Sequence, residues 1–227
     1  PNTDVIEYVH GLGGERLAKK VNGTITEKYL WAGVNLLAIY DASDVLITRF
    51  DAGSMTHNGT KYYLTRDQVG SLRAIYDTTG TLQGKIEYDS FGNELSNTLT
   101  GTLADIPIGF AGGYSDRDTG LVRFGYRDYD SSVGRWTAKD PIFFGGGQGN
   151  LYGYVHNNPI LFVDPNGEEP VSIAFVAGAV AVGGLVYTAA NHLINLYEAG
   201  LKADSEMEYQ KALNRYHQSL NEAEGTN

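Results

Sequence analysis

The chain has no cysteine among its 227 residues. Disulfide bonds, cysteine-based metal sites and a thiol nucleophile are therefore excluded. Proline is scarce, with 6 residues, and only 19% of the residues are charged, whereas the 42% that are hydrophobic suffice for a sizeable core. The formal net charge of −10 argues against a nucleic-acid partner, because phosphate binding requires a positively charged surface.

Patterns that would indicate bound groups are also lacking. The five histidines lie far apart and form no HExxH-type motif, so we predict no metal site. The glycine run at 145–147 lacks the Lys-Ser/Thr pair that ends a phosphate-binding loop. No cofactor is predicted, and no Ser-His-Asp arrangement is visible.

Glycine and tyrosine are abundant, with 29 and 16 residues. This composition favours many short β-strands joined by glycine turns, with tyrosines on the faces of a sheet. The chain opens on Pro1, and its first residues do not resemble a signal peptide. We therefore expect it to be a piece of a longer protein.

Two segments of the chain resemble each other. YLWAGVNLLAIYDASDVLITRF, residues 29–50, parallels the stretch 63–95, and in both an apolar alternation ends on a Tyr-Asp pair before a short polar turn. Thr79-Gly80 and Phe91-Gly92 supply two of the turns. Repeats of this kind predict stacked β-hairpins, each too small to bury its own apolar face.

The C-terminal part differs from the rest in composition. Residues 171–194 contain no charged residue and are rich in Ala, Val and Gly, which predicts a helix. A capping box at Ser205 begins a second, amphipathic helix, so we predict a helical hairpin within 169–227. The first helix is long enough for membrane contact, while its modest hydrophobicity favours packing against protein.

Between these parts lies a run of short motifs. Residues 107–167 contain GFAG, TGL, R-x-YD, GRW, DPI, NLY-x-Y, NNP and DP-x-G in this order. Together with the Tyr-Asp hairpins, this stretch resembles the RHS/YD-repeat family, which includes RHS polymorphic toxins, the C component of Tc toxins, and teneurins. The motif run resembles the RHS-associated core domain of that family.

The resemblance implies a mainly β fold, in which YD hairpins form part of a curled sheet or cage wall and a core domain closes one end. We predict four regions. They are an N-terminal strand segment at 1–24, YD-repeat hairpins at 25–106, the core domain at 107–168 and a helical extension at 169–227. A closed cage needs more repeats than this chain contains, so the resemblance implies a terminal segment of a shell or a shortened relative.

The resemblance also implies a candidate catalytic pair. In toxin-type members the core resembles an intramolecular aspartyl protease, and the matching Asp-Pro aspartates here are Asp140 and Asp164. Two adjacent carboxylates share a proton, so one can activate water while the other polarises the scissile carbonyl. Arg135 of the GRW motif is the predicted carboxylate partner. The alternative is that each Asp-Pro forms only a turn.

The candidate cleavage site departs from the family pattern. Members usually carry Leu after DP-x-G, whereas this chain has Glu168 after Gly167. A pocket shaped for Leu would have to bury a carboxylate, which is costly unless that carboxylate is paired or protonated. The enzyme prediction is thus an aspartyl autoprotease that is either active or vestigial.

Three functions follow as expectations. The first is a structural or delivery module of a bacterial secreted or cell-surface protein, in which a β-shell holds the C-terminal extension. The second is an autoprotease that releases this extension as a toxin. The third is a self-associating surface or filament protein. The expected partners are upstream shell segments or other chains of the same protein, with membrane contact through 171–194 and homo-oligomers as further options.

Overall fold

The computed structural model describes residues 4–11, 14–32, 34–146 and 149–172. Ten strands in this part form one antiparallel sheet in which every strand pairs with the next along the chain. They are β1 (Ile6–His10), β2 (Arg16–Val21), β3 (Thr24–Ala32), β4 (Asn35–Asp41), β5 (Leu46–Asp51), β6 (Ser54–His57), β7 (Thr60–Arg66), β8 (Leu72–Asp77), β9 (Leu82–Tyr88) and β10 (Glu94–Asn97). The prediction of a mainly β fold built from stacked hairpins is confirmed.

The aspartate of each Tyr-Asp pair organises the turn that follows it. Asp77 accepts the backbone N–H groups of Thr79 and Thr81 on one carboxylate oxygen, both at 2.9 Å. Gly80, three residues after the aspartate, has a left-handed backbone that glycine adopts without steric cost. The same two backbone hydrogen bonds recur at Asp41 and Asp89 of Tyr-Asp pairs and at Asp67, which follows an arginine. The left-handed position is glycine after Asp67 and Asp89, and it is Asp44 after Asp41. The repeated turn fixes hairpin length, which explains the resemblance between the two segments.

One face of the sheet carries the larger hydrophobic core. Strands β3 to β9 contribute alternate apolar side chains, and the segment after β10 lies across them. That segment includes a 3-10 turn, Gly101–Asp105, and buries Leu99, Leu103 and Ile106. The sheet therefore has one covered face, with the chain's own continuation as the cover.

A second, four-stranded sheet follows and encloses an aromatic core. Its strands are β11 (Tyr114–Asp116), β12 (Leu121–Phe124), β13 (Arg127–Asp130) and β14 (Arg135–Trp136). Five aromatic side chains pack together beneath it, and they come from the GFAG, R-x-YD, GRW and NLY-x-Y motifs and from β12: Phe110, Phe124, Tyr129, Trp136 and Tyr154. The predicted core motifs thus supply the interior of one compact unit.

After β14 the chain continues through two 3-10 turns and a short hairpin. The turns are Phe143–Gly146 and Val155–Asn157, and β15 (Phe162–Val163) pairs with β16 (Val171–Ser172); a further 3-10 turn, Phe110–Gly112, precedes β11. Val171–Ser172 is a strand, so the prediction that a helix begins at 171 is wrong at these two positions, where pairing with β15 determines the backbone. The remainder of the predicted helical hairpin lies outside the described residues.

The division into four regions stays a prediction. Pairing of β2 with β3 crosses the predicted boundary at 24/25, so the N-terminal strands belong to the same sheet as the YD hairpins. The membrane-contact segment 171–194 lies outside the described residues except for β16. Among the residues that the structure describes, no helix is long and apolar enough to cross a membrane.

Candidate functional site

Asp140 and Asp164 meet at one buried arginine. Arg127 places Nη1 3.0 Å from Oδ2 of Asp140 and Nη2 3.1 Å from Oδ2 of Asp164. The Arg127 and Asp164 side chains are almost fully buried, and that of Asp140 is 12% exposed. The two Asp-Pro motifs, which lie far apart in the sequence, therefore converge on a single cation.

The second oxygen of each carboxylate caps a turn. Oδ1 of Asp140 accepts the Ile142 N–H at 3.0 Å, and Oδ1 of Asp164 accepts the Glu168 N–H at 3.0 Å. One oxygen of each aspartate thus caps a turn, as the turn alternative predicts, and the other oxygen faces Arg127. Each aspartate fixes its local loop and also faces the common arginine.

The arginine at this site is Arg127 of the R-x-YD motif rather than Arg135 of GRW. Alternation along β13 directs Arg127 and Tyr129 into the core, whereas Arg135 on β14 is exposed and its neighbour Trp136 is buried. The Arg135 guanidinium lies over the Tyr152 ring, 5.7 Å from its centroid. Strand periodicity applied to R-x-YD would have identified Arg127 from the sequence.

Burial controls the electrostatics of the pair. Loss of solvation raises the pKa of Asp164 above its ordinary value, although the Glu168 N–H and Arg127 act in the opposite direction and Asp140 adds to the rise. Arg127 also stacks over Trp136, with Cζ 4.2 Å from the ring centroid. One cation facing two carboxylates leaves a net negative charge if both ionise, which favours retention of one proton at the site.

The Gly167–Glu168 peptide bond lies directly against this group. The carbonyl oxygen of Gly167 accepts Nε–H of Arg127 at 2.5 Å, and the Glu168 N–H is the group bound by Asp164. Gly167 has a φ of +71°, and a side chain there would collide with the Phe124 carbonyl. Glycine at this position therefore permits the close approach of the loop to β12 and β13.

The Glu168 side chain has a partner. Its carboxylate accepts Nδ2 of Asn166 at 3.0 Å and is only partly buried. The cost expected for a fully buried carboxylate at the Leu position does not arise in this conformation, because the side chain pairs locally.

Two aromatic residues that were not predicted as site residues lie in the aromatic core next to Arg127. The Tyr154 hydroxyl and Nε1 of Trp136 are buried and have no hydrogen-bond partner among the described residues. Their ring centroids lie 5.4 Å apart. The NLY-x-Y motif contains the tyrosine, but nothing in the spacing alone indicates that its hydroxyl is buried.

Three kinds of chemical group are therefore brought together. They are a carboxyl pair of which Asp164 has a raised pKa, a guanidinium on a carbonyl oxygen, and a peptide bond within reach of both. Such a set can activate water, stabilise a developing oxyanion and protonate a leaving nitrogen.

The Teneurin YD-shell family matches residues 6–160. The tRNA3(Ser)-specific nuclease WapA of Bacillus spizizenii is 32% identical over 188 residues, which are 78% of this chain and 8% of that protein. Teneurin-3 of Danio rerio is 29% identical over 176 residues, covering 68% of this chain and 6% of the teneurin.

A solved structure shares the fold. The crystal structure of TcdB2-TccC3 aligns with a TM-score of 0.58 at 24% identity, over 73% of this chain and 9% of that one. The chain thus spans less than a tenth of the length of each of these three proteins. Because the family match covers well over half of the residues, from the first strand into the core motifs, the chain belongs to the RHS/YD-repeat family.

Proposed function

We propose that the chain is a structural module in which a YD-shell wall and its core domain hold the residues that follow position 168. The observation that carries this proposal is the unbroken order of the ten strands in the large sheet. One face of that sheet is covered by the segment that follows β10. The relatives include a nuclease, a teneurin and a toxin complex. We further propose that the chain is part of a bacterial protein that is secreted or displayed at the cell surface.

The module is tested by opening the loop between β15 and β16. A recognition site for a specific protease replaces residues 165–170 in the full chain, and the protein is cut and passed through gel filtration. Co-elution of both pieces in native buffer is expected, with separation in denaturant. Separate elution in native buffer would show that the β-part does not retain the C-terminal piece.

The partner we propose for this wall is a further strand at the edge of the sheet. β1 is one of the two edge strands of the described sheet, the other being β10, and the Val5 carbonyl accepts the Asn22 N–H at 2.8 Å. Antiparallel alternation then directs the backbone groups of Ile6 away from β2. Such an edge can pair with upstream shell residues or with a second copy.

Proline at the edge tests that pairing. Ile6→Pro removes an outward N–H while leaving the pairing of β1 with β2 in place. Light scattering should show concentration-dependent association for the unmodified chain and a monomer for the variant. A monomer at all concentrations in both would exclude self-pairing and leave only upstream residues as the partner.

The second candidate function is cleavage of the chain at its own Gly167–Glu168 bond. A specific observation favours it: Arg127 binds the carbonyl oxygen of this bond, and Asp164 binds its nitrogen. One peptide bond is thus held at its oxygen by Arg127 and at its nitrogen by Asp164.

Hydrolysis at this geometry proceeds in balanced steps. The Asp140 carboxylate takes a proton from water, whose oxygen bonds to the Gly167 carbonyl carbon, and the displaced electron pair moves to the oxygen facing Arg127. Collapse of the intermediate breaks the carbon–nitrogen bond. The leaving nitrogen of Glu168 takes the proton that burial favours on Asp164, giving a new carboxyl group and a new amino terminus.

Intact-mass measurement during refolding of the full chain tests cleavage. A fragment that begins at Glu168 is expected to accumulate, and Asp140→Asn and Asp164→Asn should each abolish it. Arg135→Gln serves as the matched control, because Arg135 lies outside the pair, and should cleave normally. A chain that stays intact for days would reduce the carboxyl pair to a structural role.

A further inference from the structure

The hairpin of β12 and β13 touches the candidate cleavage site through its tip as well as through Arg127. The tip consists of Gly125 and Tyr126, and the Tyr126 N–H donates to the Asn166 carbonyl oxygen at 2.9 Å. A Cβ atom added at Gly125 would collide with that same carbonyl group. The tip therefore helps to determine where the chain lies immediately before the Gly167–Glu168 bond.

The side chain at this tip rests against the β1–β2 hairpin. Gly14, two residues before β2, lies so close to the Tyr126 ring that an added Cβ atom would be 2.9 Å from Cδ1 of the ring. Nη2 of Arg123 on β12 donates to the Gly14 carbonyl oxygen at 3.0 Å. Tyr126 thus contacts Gly14 with its side chain and Asn166 with its backbone.

Two ion pairs behind the tip hold the hairpins together. The Asp128 carboxylate accepts Nη2 of Arg16 at 3.2 Å on one oxygen and Nη1 of Arg123 at 3.1 Å on the other. Arg16 belongs to β2 and is almost fully buried, so separating the hairpins would leave a buried charge without its partner. Because neighbouring side chains of a strand point to opposite faces, Asp128 faces the β1–β2 hairpin while Arg127 faces the carboxyl pair.

We propose that the β1–β2 hairpin positions the Gly167–Glu168 bond through Tyr126, so that the cleavage site is complete only while this hairpin is docked. The inference deepens the cleavage function proposed above and rests on it for its catalytic meaning. Tyr126 is a positioning residue in this scheme, because it acts on the bond through Asn166. Since β1 is also an edge to which a further strand can pair, such pairing would stabilise the docked hairpin and favour a complete site.

Alanine at Gly14 and alanine at Gly23 test this positioning in the full chain. Both glycines have a φ of +80°, so the two substitutions carry the same backbone strain. At Gly23 a Cβ atom meets nothing within 4 Å, whereas at Gly14 it presses on the Tyr126 ring. Hydrogen exchange followed by NMR should show the Tyr126 and Glu168 amides exchanging at least about tenfold faster in Gly14→Ala than in Gly23→Ala. Equal exchange of these amides in the two variants overturns the proposal.

Cleavage kinetics separate this proposal from the function on which it rests. If the unmodified chain cleaves, Gly14→Ala should lower the first-order rate constant about tenfold, because a small displacement of the bond from the carboxyl pair slows the reaction. Gly23→Ala should cleave normally, and equal rates would refute the positioning role while cleavage itself stands. If no chain cleaves, the cleavage function fails, and the exchange measurement still decides whether the hairpin positions the bond.

Substitution of the tyrosine covers the case in which Gly14→Ala does not fold. Tyr126 is 48% exposed, so Tyr126→Ala should fold while removing the ring that rests on Gly14. The Glu168 amide should exchange faster in this variant, and Tyr126→Phe, which keeps the ring, should restore slow exchange. Tyr63→Ala, at a tyrosine on β7 that is 46% exposed, is the control and should leave the Glu168 amide unchanged. Slow exchange in all three variants would contradict the proposal.

Discussion

At the scale of single residues, one arginine balances two carboxylates inside the core unit. Arg127 and Arg135 lie on adjacent strands, but only Arg127 is buried, with 3% of its side chain exposed. Removing the buried cation leaves Asp140 and Asp164 without compensation, whereas removing the exposed one leaves no buried charge unpaired.

Replacement of each arginine by methionine should reveal this difference. Arg127→Met is expected to lower the free energy of unfolding by about 3–5 kcal/mol at neutral pH. Arg135→Met should change it by no more than about 0.5 kcal/mol. Urea unfolding measures both, and the deficit of Arg127→Met should shrink at acidic pH as the carboxylates take up protons. Equal losses in the two variants would contradict the assigned roles.

A buried histidine makes the stability of the large sheet depend on pH. His57 on β6 is 7% exposed, and Nδ1 lies 2.8 Å from the Thr48 hydroxyl. Burial lowers the pKa of His57 below its ordinary 6.5, with the Asp105 charge acting in the opposite direction. The unfolded chain therefore binds a proton that the folded chain resists.

The expected sign follows from linkage. The stability that neutral His57 contributes is fully present above pH 6.5 and is lost as the pH falls from 6.5 toward the lower folded-state value. Urea unfolding at pH 7.5 and 5.5 should therefore show a smaller decrease for His57→Gln than for the unmodified chain. Identical pH dependence in both would exclude His57 as the source.

The two aspartates could be predicted from the sequence, but the arginine between them, Arg127, was not predicted. Asp140 and Asp164 are identifiable because each belongs to a short motif, so their candidacy needs no three-dimensional information. Arg127 was missed, because its importance comes from which face of a strand it occupies. That Asp140, Asp164 and Arg127 act in catalysis, together with the proposed cleavage at Gly167 and Glu168, stays a prediction.

At the scale of elements, the turn that starts with aspartate explains the repeat. The glycine of this turn has nearly the same backbone conformation in two of the hairpins, with φ of +85° at Gly80 and +88° at Gly92. The two surroundings differ, however. A side chain at Gly80 would meet nothing within 4 Å, whereas one at Gly92 would collide with the Phe110 ring.

Alanine at these two positions separates backbone strain from packing. Gly80→Ala should cost about 1–2 kcal/mol in unfolding free energy, the price of a left-handed alanine. Gly92→Ala should cost about 1–3 kcal/mol more, because the added methyl group also displaces the aromatic core. Thermal or urea unfolding gives the two values. Equal costs would mean that the turn at 89–93 is not packed against Phe110.

The hairpins were predictable from the sequence because alternation and turn residues act locally. The strand at Val171–Ser172 was not, because its conformation depends on a partner strand earlier in the chain rather than on its own composition. Local apolar composition favours a helix there, and the pairing with β15 overrides it.

At the scale of the whole molecule, a buried ionic cluster joins the N-terminal hairpin to the core unit. Arg16 on β2 places Nη1 2.9 Å from Asp116 and Nη2 3.2 Å from Asp128. The Tyr8 hydroxyl donates to Asp116 at 2.6 Å. Contacts between residues about a hundred positions apart carry no sequence signal, so the sequence could not reveal this junction.

Disrupting the junction should loosen one end of the sheet selectively. Arg16→Met is expected to lower the free energy of unfolding by about 3 kcal/mol or more, because it leaves the buried Asp116 carboxylate without its cation. Hydrogen exchange should then accelerate in 6–21 and remain slow in β7 and β8. Lys85→Met, at an exposed ion pair, is the control and should change stability by at most about 1 kcal/mol. Uniform acceleration along the sheet would argue against a local junction.

The short β15–β16 hairpin has a mechanical consequence. It closes the loop that presents the Gly167–Glu168 bond, and its ladder consists of two residue pairs. A pull on the chain beyond Ser172 opens such a hairpin one pair at a time, and the load then passes to the contacts of Glu168 and Gly167 with Asp164 and Arg127. Tension would therefore withdraw the bond from the carboxyl pair before either large sheet bears force. A pulling force on the residues beyond Ser172 is therefore expected to oppose cleavage of the Gly167–Glu168 bond.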